Sequence, residues 1–99
     1  MEITGHTVEL LEDPFGLLKG ERYEFFLNLL VDEEDELYTE NGIMLKVILS
    51  VDKEEAKILQ YYFIERSTEK VLDFALEEEE EDFVTNYCKN NLATAHTEE

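Results

Sequence analysis

Glu21-Arg22-Tyr23-Glu24-Phe25-Phe26-Leu27-Asn28-Leu29-Leu30-Val31 is the stretch whose pattern decides the fold. Tyr23, Phe25, Leu27, Leu29 and Val31 recur at every second residue, whereas Arg22, Glu24 and Asn28 fall on the other side with Phe26 and Leu30. A period of two sends successive side chains to opposite faces of an extended chain, so the segment reads as a strand. Ile43 to Val51 repeats the pattern, with Ile43, Leu45, Val47, Leu49 and Val51 set against Met44, Lys46, Ile48 and Ser50. Asn41-Gly42 before it is a turn signal.

Outward from this pair, Ile3 to Leu11 alternates loosely and stops at Asp13-Pro14-Phe15-Gly16. Proline presets the φ of a turn and glycine relaxes its exit, so a strand followed by a turn is predicted. On the other side, Asp52-Lys53-Glu54-Glu55 is a polar link to a fourth strand around Lys57 to Glu65. Ser67-Thr68-Glu69 then reads as a hairpin connection into a fifth strand, Val71 to Leu76. Beyond it the period changes. Phe83, Val84, Tyr87, Cys88 and Leu92 form the apolar stripe of an amphipathic helix from about Glu78 to Asn91. Ala93 to Glu99 carries no pattern and is expected to fray.

Short links between sequential strands favour antiparallel neighbours. The expected class is therefore α+β: a meander of about five antiparallel strands with one C-terminal helix on one face, in a single domain over residues 1–92. A helix of about fourteen residues is roughly 21 Å long and covers one side of such a sheet. Phe26, Leu30, Met44 and Ile48 point to the other side. Either the sheet curls towards a partial barrel that buries both sets, or the second face meets another molecule.

Charge narrows the partners. The formal net charge is −18, and twelve of the 26 acids lie in two runs. These are Asp32-Glu33-Glu34-Asp35-Glu36 with Glu40, and Glu77-Glu78-Glu79-Glu80-Glu81-Asp82. Without them the balance is −18 + 12 = −6, so the acidity is focal. Direct binding to nucleic acid or to an anionic membrane is disfavoured. With 43% hydrophobic residues and eleven Phe and Tyr, the composition is not that of a disordered acidic tail. Cys88 is the single cysteine, Met1 to His6 lacks the features of a signal peptide, and no apolar run spans a bilayer. A cytoplasmic location is expected.

No constellation carries recognisable chemistry, so no enzyme activity and no cofactor are expected. The second acidic run falls where the helix begins, where carboxylates meet the positive end of the macrodipole; it is either a solvated helix start or an anionic platform. The first run resembles a calcium loop only superficially, because the sixth position from Asp32 is Leu37 where a glycine is required. His6 and His96 lie near opposite ends of the chain and lack zinc-site spacing. His6 is expected as an exposed strand residue, His96 as a tail residue and Cys88 as a small core hydrophobe. Ser50 and Ser67 have no histidine in their segments, and the acids lack the burial that would split a catalytic pair. Tyr38, beside Leu37 in the acidic loop, either marks an interaction site or anchors the loop.

Asp13-Pro14-Phe15-Gly16, Gly20-Glu21-Arg22-Tyr23-Glu24-Phe25, Asp35-Glu36-Leu37-Tyr38 with Asn41-Gly42, Leu72-Asp73-Phe74 and Cys88-Lys89 together resemble a family of small acidic proteins of unknown function from bacillus-type Gram-positive bacteria. The resemblance spans nearly the whole chain and implies no activity. The leading expectation is a non-enzymatic module that binds another protein or a second copy. It would use Phe26, Leu30, Met44 and Ile48, or the acidic runs with Tyr38. Alternatives are an anionic mimic of nucleic acid that blocks a basic groove, and a binder of a small ligand or a weakly held cation.

Overall fold

The computed structural model describes residues 2–11, 20–36, 38–53 and 55–92. Strands β1 (Glu2–Leu11), β2 (Glu21–Leu30), β3 (Ile43–Asp52), β4 (Glu55–Glu65) and β5 (Val71–Leu72) precede helix α1 (Glu78–Asn90). Each strand pairs antiparallel with the next, in the order β1-β2-β3-β4-β5. The α+β meander read from the sequence is the observed architecture. The sheet is not closed: it begins on β1 and ends on β5. The Asp13–Gly16 turn, Leu37, Glu54, His96 and the rest of the tail lie outside the described residues.

Register fixes the faces. Phe25 pairs with Val8 and Val47, Leu27 with His6 and Leu45, and Tyr23 with Leu10 and Leu49. Phe63 and Tyr61 extend these rows on β4. The inner face carries the core, with Phe25, Leu27, Leu45, Val47 and Leu49 wholly buried. Burying a side chain of this size stabilises by about 1.5–3 kcal/mol. Helix α1 seats Val84 and Cys88 on this face, with Tyr87 and Leu92 packed beside them.

Two register slips separate the strands from simple alternation. On β1 Ile3 faces Leu29 and Gly5 faces Asn28, so Thr4 is an extra residue and Ile3 shares a face with His6. On β4 Ile58 pairs with Leu49 and Gln60 with Ile48, which leaves Leu59 as a bulge.

Strand β5, Val71–Leu72, is shorter than the Val71 to Leu76 span read from the sequence. The chain turns away after Leu72: Phe74 donates its N–H to Leu72 O at 3.0 Å, and Leu76 donates to Tyr61 Oη at 2.8 Å. Phe74 stacks edge-on to Phe63 and Leu76 is buried. The apolar residues read as strand thus cross over the inner face and lead into α1. Gly20, at the entrance to β2, adopts φ +71°, and a Cβ there would lie 2.3 Å from Val51 O. No other residue satisfies that close approach without strain.

Candidate functional site

The outer face of the sheet follows from the same register. Phe26 sits between Thr7 and Lys46, Ile48 between Glu24 and Gln60, Met44 between Asn28 and Ile64, and Tyr62 beside Lys46. No described helix or loop packs across these side chains. Phe26, Met44 and Ile64 are half-buried, Tyr62 and Leu30 are exposed, and Ile48 at 9% is the most sheltered of the set. Leu30 stands apart at the end of β2, opposite Glu2.

Polar residues frame this apolar strip. Lys46 Nζ lies 3.5 Å from Glu24 Oε2 and 6.0 Å from the centre of the Phe26 ring. A partly solvated pair of this kind contributes about 1 kcal/mol or less; it keeps the Lys46 ammonium on the Phe26 side of the strand. Thr7, Val8, Glu9, Glu24 and Phe26 line a shallow hollow of about 260 Å³ on the β1–β2 half.

The acidic runs lie elsewhere. Asp32, Glu33, Glu34, Asp35 and Glu36 are exposed in the β2–β3 connection, where Asp35 donates its N–H to Asp32 O and Tyr38 donates to Asp35 O. Tyr38 borders a hollow of about 130 Å³ with Leu29, Leu30, Val31 and Thr39 at that end of the sheet. The connection is tied down by Glu65, which accepts hydrogen bonds from Thr68 Oγ1 at 2.7 Å and from Thr39 Oγ1 at 3.0 Å. These two hydroxyls, Thr68 first, hold the Glu65 carboxyl below its ordinary pKa.

Glu77 to Asp82 occupy the start of α1, and Glu78, Glu79, Glu80 and Glu81 fill its first turn. Glu80 folds back to accept the Glu77 N–H at 3.0 Å, so part of this run caps the helix. Because Leu76 is fastened to Tyr61, the run starts above the body of β4, between its two ends. The two runs are therefore not joined into one patch. Among the described residues, no three His, Cys, Asp or Glu side chains converge on a common cation position.

His6 is placed differently from its expectation as an exposed strand residue. Its pairing with Leu27, in unbroken register with Val8 opposite Phe25, turns it to the inner face, half-buried, with Nδ1 2.9 Å from Tyr87 Oη and its ring edge-on to Tyr87. The signal was present in its shared parity with Val8 and Leu10. The contact fastens α1 across to β1. Cys88 is fully buried, and burial pushes its thiol up to about 12, so it is packing and not a nucleophile. Burial, reinforced by Glu21, likewise raises the Tyr23 hydroxyl.

No helix among the described residues is long and apolar enough to cross a membrane. No curated protein and no solved structure matches the chain. Residues 1–95 match the profile described as "Family of unknown function (DUF6509)", and the chain belongs to that family.

Proposed function

We propose that this chain is a non-enzymatic protein-interaction module of the bacterial cytoplasm, and that the outer face of its sheet is the docking surface. The observation that carries the reading is the unequal cover of the two faces. Phe26, Met44, Ile48, Tyr62 and Ile64 form an apolar strip on which no described element rests. Apolar strips of this breadth with a polar rim mark association surfaces. The resemblance to small acidic proteins of bacillus-type bacteria supports the cellular setting.

A photo-crosslinking residue placed at Phe26 or Tyr62 tests this in cells, with Phe83 on the exposed side of α1 as the control. Adducts formed from positions 26 and 62 but not from 83 support the reading. Equal yields from all three positions, or none from the outer face, sink it. Two separate acidic runs also favour a second reading, an anionic mimic held in a basic groove. Adducts would then form from Glu34 or Glu79 positions and vanish as salt rises.

A further inference from the structure

Resting on the outer face as docking surface, we infer that its occupant is a second copy of the same chain, packed sheet against sheet. Charge on this face departs from that of the molecule. Its outward-facing residues on the strands include Glu2, Glu9, Glu24, Asp52 and Glu55 against Arg22, Lys46 and Lys57. The balance is 3 − 5 = −2 in a chain of −18. A basic partner would be drawn to the acidic runs and met here by three cations. Two copies can approach through this face without bringing their acidic runs against one another, where like charges would repel.

Across the middle rows the charges are sorted sideways. Glu9 and Glu24 lie on β1 and β2, whereas Lys46 and Lys57 lie on β3 and β4; Arg22 on β2 breaks this division, as do Asp52 and Glu55 at the end of β3 and the start of β4. A two-fold axis parallel to the strands, in the plane of contact between β2 and β3, lays β1 of one copy over β4 of the other and β2 over β3. Glu24 then faces the Ile48 row, one outward position from Lys46. Glu9 faces the Gln60 row, one outward position from Lys57. Each acid meets a lysine within reach of its side chain, and the interface is isologous. Aligned packing of this kind matches the usual geometry of two sheets.

Area permits it. Nine residues at about 3.3 Å and four strands at about 4.8 Å give a face about 30 Å by about 19 Å. Two such faces cover about 1,100 Å² before corrugation is counted, close to the lower bound of about 1,200 Å² for a specific interface.

Sedimentation equilibrium of the purified chain and of two charge-reversed variants, Glu9→Lys/Glu24→Lys and Lys46→Glu/Lys57→Glu, tests the arrangement. Circular dichroism confirms that each is folded. The unmodified chain should dimerise at or below about 100 μM, each variant alone should dissociate at least about tenfold more readily, and a 1:1 mixture should restore a heterodimer. An unmodified chain that stays monomeric at that concentration overturns the inference, as does a dimer whose affinity neither variant changes. Ile48→Glu separates this inference from the docking surface itself. If the unmodified chain is monomeric and Ile48→Glu abolishes the outer-face adducts formed in cells, the docking surface stands and the second copy does not. If adducts survive Ile48→Glu, both fail.

Discussion

Phe25 and Phe26 are adjacent in the chain and meet different fates. Phe25 is wholly buried in the core that the helix joins, and Phe26 lies half-open on the opposite face, with the Lys46 ammonium above its ring. The same alternation of β2 and β3 supplies apolar residues to both sides. One helix remains after the strands are made, and its Val84 and Cys88 can be buried only once. Alternation decides which residues share a face; the number of elements left over decides which face is covered within the chain.

The largest expected effect separates the two phenylalanines. Phe25→Ala should destabilise by about 3–5 kcal/mol, the usual cost of an emptied aromatic core site. Phe26→Ala should cost about 1 kcal/mol, mostly the lost lysine contact. Denaturant titration of dilute protein measures both, and equal costs would mean that the outer face is covered in the monomer.

Cys88 gives the next test of the covered side. Its thiol should resist a disulfide reagent at pH 8 while the chain is folded and react fully in denaturant. Because burial raises this acid's pKa in the fold, its contribution is complete below the ordinary thiol pKa and declines as pH rises through and above it. Rapid labelling of the native chain would show that α1 is not seated on the inner face.

The smallest effect concerns Glu65, at the rim between the faces. Its carboxyl is lowered in the fold, so its contribution is present above the ordinary carboxylate pKa and is lost as pH falls through the folded value. Glu65→Gln should flatten that part of the stability–pH curve and leave association through the outer face untouched. An unchanged curve would show that the Thr39 and Thr68 hydroxyls do not hold the charged form.

β2 and β3 were legible because Tyr23 to Leu29 and Ile43 to Leu49 alternate without interruption. β4 was harder, since the bulge at Leu59 sets Ile58 and Tyr61 on one face although they are three apart. β5 was overread because Phe74 and Leu76 are apolar for a different reason: they roof the core instead of pairing. For the candidate site, parity alone grouped Phe26, Met44 and Ile48. It could not tell that the sheet stays open, which depends on the relation of β1 to β5. The parity of His6 with Val8 places it on the inner face, whereas Ile3 joins that face only through the slip of one residue at Thr4, which leaves no mark in composition.

β5 pairs with β4 only at Phe63 and Ile64. The rest of β4 is a border along which, among the described residues, no further strand is laid. Such borders are where chains add to one another without limit. The extra residue at Leu59 interrupts the regular spacing of outward amides and carbonyls, and Lys57 beside it brings a charge that an incoming strand would have to accommodate. The irregularity that obscured β4 in the sequence therefore also guards against fibrous growth, and it keeps a β-rich chain five strands wide.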